Sequence, residues 1–285
     1  MVVLGACSAE STRWPDSVNW IAPNANIAKM LTVEPAECVR SSPMSDEIAL
    51  GRIAFHSPVL LGGQAARNRI SCASCHTNGQ VNEHFFIAGL SNAPGTADVS
   101  NFHFSKTLGD GVFNPKPIPS LAMLDTPKTP ATALKQEQFI LRLIEQEFDG
   151  AAPLPQIKSA LIAYVNDLDI AVCAETNTYY GQQILEHRLQ RIDSYFMVLS
   201  SVQEAALRDF LIISLRFELG RLYTRFPEVK DVQAGLLELS TSVKNVTQQE
   251  QQAVQQNWQQ QKPQIRANFS HSLFDAAQVS KRIAH

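Results

Sequence analysis

Two thiols and an imidazole fall within five residues of this 285-residue chain, at Cys72-Ala73-Ser74-Cys75-His76. The Cys-x-x-Cys-His spacing brings both sulfurs and the ring onto one turn. There the thiols can add across the two vinyl groups of a porphyrin while the imidazole reaches its iron. Other chemistries of a Cys-x-x-Cys pair need different surroundings. A thioredoxin-like redox pair sits between a strand and a helix, and no strand pattern precedes Cys72. A structural zinc site needs a second ligand pair, and the chain has no other Cys-x-x-Cys. The residues therefore predict one covalent haem c, attached at Cys72 and Cys75, with His76 as the proximal iron ligand.

The sixth iron ligand decides between chemistries. Simple electron-transfer domains place a Met just ahead of the closing helix, and a Met ligand raises the potential. That stretch here reads Glu147-Phe148-Asp149-Gly150-Ala151-Ala152-Pro153-Leu154-Pro155, without Met. Met123, in Ser120-Leu121-Ala122-Met123-Leu124, is the first candidate and His103 the alternative, while His84 follows the motif too closely to loop over a macrocycle. An open position would instead call for a distal acid–base group, for which Glu83, Asp98 and Asp110 are available. His56, His187, His271 and His285 read as structural or exposed.

The elements that must position these groups follow from caps and periodicity. Ser45 is a good N-cap with Asp46 and Glu47 behind it, so a helix is expected from there to just before Pro58, carrying Ile48, Ile53 and Phe55. Leu61-Gly62-Gly63 then turns the chain toward the motif. Residues 79–130 are rich in Gly, Pro, Asn and Ser, a loop too long for a compact domain unless a cofactor fills its core. Two helices close the domain. One is expected from about Lys135 to Phe148, with Phe139, Leu143, Ile144 and Phe148 on one face. The other runs from about Pro155 to Leu168, with Ile157, Leu161, Ile162 and Val165 inward. Beyond Glu175 three stripes repeat at spacings of three and four: Leu185 to Leu199, Leu207 to Leu222 and Val229 to Val246. Such stripes are seams of packed antiparallel helices, and the Gln-rich run from Gln248 to Gln261 can extend one. The expected fold class is all-α: a tether over residues 1–37, a long-looped class I-like cytochrome c domain over 38–175, and a C-terminal antiparallel helical bundle over 176–285.

Five cysteines are present. Besides the motif pair, Cys38 and Cys173 flank the first and last helices of the domain. Those helices cross in small haem c domains, so a disulfide is expected, closing a loop worth ~4–5 kcal/mol in the chain-entropy model. Cys7 ends Val3-Leu4-Gly5-Ala6-Cys7, which reads as a bacterial lipoprotein box; Ser8 after it favours the outer membrane. Only six residues precede Cys7, so the expectation is a truncated signal remnant and a start assigned late. That places the chain in the periplasm of a Gram-negative bacterium, with membrane contact only through the lipid. Hydrophobic residues make up 45%, charged residues 18%, and the net charge is −3. This is a globular composition, with no basic excess to argue for nucleic acid.

Leu50-Gly51-Arg52-Ile53-Ala54-Phe55-His56-Ser57-Pro58, Leu61-Gly62-Gly63 and Ile70-Ser71-Cys72-Ala73-Ser74-Cys75-His76 resemble the opening of the bacterial dihaem cytochrome c peroxidases. Asn114-Pro115-Lys116-Pro117-Ile118-Pro119-Ser120-Leu121 is similar to that family's Asn-x-Pro-Ser-Leu segment, and 157–165 to the last helix of haem c domains. The resemblance covers about residues 45–170. It implies a haem c domain and places His103 in the region of the family's displaceable distal His. Those peroxidases relay electrons between two haems, and this chain has one motif. The expected function is therefore mono-haem electron transfer with periplasmic redox partners. The alternative is a peroxidase-like enzyme with a five-coordinate or ligand-switching haem, and a further possibility is assembly of the cytochrome into a larger envelope complex through the helical half.

Overall fold

The computed structural model describes residues 14–173 and 177–284. Cys7, with the lipidation expectation, and His285 lie outside the described residues. The chain is mostly helical, as expected of an all-α fold, with four short strands among the described residues. No described helix is long and apolar enough to cross a membrane.

The segment expected as a tether is packed from residue 14 onward. Its elements are α1 (Ile27–Thr32) and β1 (Val33–Pro35), and Leu31 and Ala36 are buried. The physical reason is pairing that no local periodicity reveals. β1 takes its antiparallel partner from β4 (Thr178–Tyr180), with Glu34 opposite Tyr179.

α2 (Asp46–His56) starts where its cap places it, with Ser45 Oγ accepting the Ile48 N–H at 3.3 Å. Asp46 and Glu47 in its first turn suit the positive end of the helix dipole, and Pro58 keeps Ser57 extended. Two short helices follow, α3 (Gly63–Arg67) and α4 (Cys72–Cys75). The loop beyond is ordered by a two-stranded ribbon, β2 (Thr96–Ala97) against β3 (Lys116–Pro117).

α5 spans Pro130–Arg142, five residues earlier than expected at its start, because Thr129 caps it and Pro130 fills its first position. It runs into a π-helical turn, Leu143–Glu147. Of the face expected inward only Ile144 is buried, and Phe139 is 58% exposed. α6 (Pro155–Asp167) buries Ile157, Ala160, Leu161 and Tyr164, while Ile162 and Val165 are half-buried. α2 and α6 pack closely because Gly51 has no side chain: a Cβ there would stand 1.9 Å from the Ala160 carbonyl oxygen.

α7 (Gly181–Ser201), α8 (Ala205–Tyr223), α9 (Lys230–Lys244) and α10 (Gln251–Ala267) carry the remaining stripes, and α11 (Ala276–Ile283) packs on α1. The Gln-rich run lies in α10, where buried Trp258 donates from Nε1 to Asp193 of α7 at 2.8 Å. One apolar core is continuous from α2 and α6 into α7, α8, α9 and α10. Buried ions cross the same boundary. Glu37 accepts from Tyr164 Oη at 2.7 Å and pairs with Arg52 at 3.0 Å and His187 at 2.9 Å. Arg191 pairs with Glu218 and approaches His56 Nε2 at 3.3 Å. His56 and His187 are thus structural, as expected, and His271 is exposed.

Candidate functional site

The motif turn is held by its own small residues. Ser74 Oγ accepts the Ser71 N–H at 3.1 Å, and Asn82 Nδ2 donates to the Ser74 carbonyl at 2.8 Å. His76 N–H closes the turn on the Cys72 carbonyl at 2.9 Å. Cys72, Cys75 and His76 are each half-buried, and both cysteines are free thiols. Burial pushes each thiol up to about 12, so sulfur and proton stay together, the pair that addition to an alkene consumes.

His76 Nδ1 lies 2.9 Å from the Pro119 carbonyl oxygen. A carbonyl can only accept, so Nδ1 carries the proton and the Nε2 lone pair is left for a metal. Burial lowers the His76 pKa to about 4, against the opposing pull of the Pro119 contact, and keeps the ring neutral. Pro119 is itself fixed: β3 pairs with β2, and Ile118 N–H donates to the Gly95 carbonyl at 2.9 Å. The sequence offered a signal for this acceptor in the stiff run Pro115-Lys116-Pro117-Ile118-Pro119, but not its target.

Among the described residues, no three His, Cys, Asp or Glu side chains gather to hold a metal ion. A metal at His76 would have to bring its own donors, which a porphyrin does. Several large apolar side chains in the residues after the motif are exposed. Phe102, Val112, Phe113, Leu124, Leu134 and Phe139 are each more than half exposed. α5 buries none of its residues, although amphipathic helices normally bury one face. Polar links tie it to α6: Lys158 to Glu137 at 2.6 Å, and Gln136 to Asn166 at 2.7 Å.

Met123 is 72% exposed. It lines a cavity of about 590 Å³ together with Ala73, Ser74 and Thr77, and Cys72, Cys75 and His76 do not line it. His103 is exposed, its Nε2 3.3 Å from Asn68 Nδ2. Asp98 is buried and occupied within its loop, accepting from Ser100 and from the Asn114 N–H. Asp110 is exposed and accepts the Val112 N–H, while Glu83 is exposed and lines the 590 Å³ cavity. Cys38 and Cys173 form the expected disulfide, with Cα atoms 5.5 Å apart. Comparison with family models, curated proteins and solved structures finds no match to this chain.

Proposed function

We propose that this chain is a mono-haem c-type cytochrome that transfers electrons. The observation that carries the reading is the Cys-x-x-Cys-His turn whose imidazole is locked by the Pro119 carbonyl into the tautomer a metal ligand needs. Cys72 and Cys75 would hold the porphyrin through thioethers, each sulfur and its proton adding across one vinyl group with no leaving group. His76 would bind iron through Nε2. Bound haem supplies a one-electron ferric/ferrous couple. The chain's part is to fix the imidazole, to cover the macrocycle with apolar side chains, and to set the sixth ligand, for which Met123 is the first candidate and His103 the alternative. The crossed α2 and α6, with the motif turn between them in sequence, support a class I-like haem domain over 38–175, with residues 176–285 as a helical domain. The disulfide supports an oxidising compartment such as the periplasm, and Cys7 would supply a lipid anchor at the outer membrane.

The test is expression in a host that exports and matures c-type cytochromes. The expected product is red and carries the mass of one haem, and Cys72→Ser/Cys75→Ser is colourless. Colourless wild-type protein without the added mass overturns the reading. A low-spin spectrum lost in Met123→Ala assigns that ligand; loss in His103→Ala assigns the other. A high-spin spectrum that responds to peroxide replaces electron transfer with the peroxidase alternative.

A further inference from the structure

His76 needs to be held at two ends. Its ring meets the Pro119 carbonyl, while its main chain ends α4 in a non-helical conformation, with φ −115° and ψ 71°. What fixes the backbone beyond it is the tight turn Thr77-Asn78-Gly79-Gln80. The His76 carbonyl accepts the Gly79 N–H at 3.0 Å, and the Thr77 carbonyl accepts the Gln80 N–H at 2.9 Å. Presenting the Gly79 N–H in this way puts Asn78 in the left-handed region, at φ 53° and ψ 33°. Asn tolerates that region better than most residues with a side chain. Such conformations persist where the surroundings hold them, commonly at functional sites.

The surroundings here are β1. Asn78 is 1% exposed, and its Nδ2 donates to the Pro35 carbonyl at 2.8 Å. Gln80 is half-buried and donates from Nε2 to the next carbonyl, that of Ala36, at 2.7 Å. Neither amide closes the turn, whose own backbone hydrogen bonds do that; both act on where the turn sits. The strand they grip is anchored in the helical half. Ala36 N–H donates to the Asn177 carbonyl at 2.9 Å, next to β4, and Glu34 of β1 pairs with Arg188 of α7 at 2.6 Å.

We propose that Asn78 and Gln80 are positioning residues for His76: they fix its main chain to β1 while Pro119 fixes its ring. The proposal rests on the haem reading and gives the helical half a part in it, since β4 and Arg188 hold the strand on which the clamp acts. Groups that orient a metal ligand without touching the metal typically change its binding about 10–100-fold when lost, and around a haem they adjust the potential.

The test compares the matured full chain with Asn78→Gly/Gln80→Leu, neutral substitutions that remove both amides while glycine keeps the left-handed turn accessible. The ferric/ferrous ratio at a fixed potential is expected to change at least 3-fold, about 28 mV for one electron, and the ferric electron-paramagnetic-resonance g values to shift. If the double variant does not fold, Asn78→Gly alone carries the comparison. A second arm makes the same substitutions in haem-free Cys72→Ser/Cys75→Ser. There the Gly79 and Gln80 amides are expected to exchange with solvent at least 10-fold faster, corrected for intrinsic rates, while α2 and α6 stay alike. Red variant protein with the parent's potential and g values overturns the proposal even where its urea midpoint falls, because the amides would then serve stability alone. If the parent is itself colourless the haem reading fails, and unchanged exchange in the haem-free pair is what separately overturns the clamp.

Discussion

His187 is buried beside Glu37 with its Nε2 2.9 Å from the carboxylate oxygen, and Arg52 lies against the same oxygen at 3.0 Å. Arg52 Nη2 also lies 2.9 Å from His187 Nε2, so the guanidinium sits beside the imidazole and resists its charging. Burial is the larger cause, and together with Arg52 and Arg191 it lowers the His187 pKa to about 4 against the pull of Glu37. The unfolded chain takes up this proton near pH 6.5 and the native one only near pH 4. The contribution of the neutral ring is therefore complete above pH 6.5 and fades as pH falls. From His187 alone the loss by pH 5 is about 2 kcal/mol. Urea unfolding at pH 7.5 and pH 5 measures it, and His187→Gln should show a smaller fall between the two. Equal falls in both proteins would remove His187 from the account.

Gly51 and α5 show what an element needs from its neighbours. A Cβ at Gly51 would meet the Ala160 oxygen at 1.9 Å and the Tyr164 Cβ at 2.7 Å, both on α6. Gly51→Ala must separate the helices, at a cost of about 3 kcal/mol, the upper end for an overpacked core. Gly220→Ala is the control: nothing lies within 4 Å of its Cβ, so helix propensity should make it neutral or stabilising by up to about 1 kcal/mol. A small cost at Gly51 in urea unfolding would show that the crossing is looser than described. α5 poses the opposite case, an amphipathic helix with no buried residue. If a macrocycle covers it, its amides should exchange with solvent at least 10-fold more slowly in matured protein than in Cys72→Ser/Cys75→Ser, while α2 and α6 stay alike in both. Equal protection of α5 would leave its apolar face without the cover proposed. These elements also show how far the sequence could be read. Ser45 and the stripes of α7, α8 and α9 act within a few residues, so caps and periodicity located them. β1 reads locally as tether because its partner β4 is more than a hundred residues away, and α5 starts ahead of its apolar pattern because Thr129 and Pro130 outweigh that pattern. The motif is legible as a string, whereas the Pro119 contact arises only from tertiary packing.

At the scale of the whole molecule, the two halves are joined by more than chain continuity. Ser57 Oγ meets Ser214 Oγ at 2.7 Å, Arg221 donates to the His56 carbonyl at 2.7 Å, and the apolar core runs unbroken beneath them. Unpairing one buried ion of such a set costs about 3–5 kcal/mol, so neither half can open cheaply and a single cooperative transition is expected. The Cys38–Cys173 disulfide adds to that cooperativity without dictating the native geometry. Asp169 N–H donates to the Cys38 carbonyl at 2.8 Å, and Arg40 N–H to the Asp167 carbonyl at 2.9 Å, so the two segments already meet through their backbones. The bond acts chiefly on the unfolded chain by closing a loop with sequence separation 135, worth about 4–5 kcal/mol in the chain-entropy model. Cys38→Ala/Cys173→Ala should therefore fold to the same circular-dichroism spectrum and unfold in one transition at markedly lower urea. The parent protein in reducing agent should match it. Two resolved transitions in either protein would mean that the halves are stable separately and that the buried ions between them couple little.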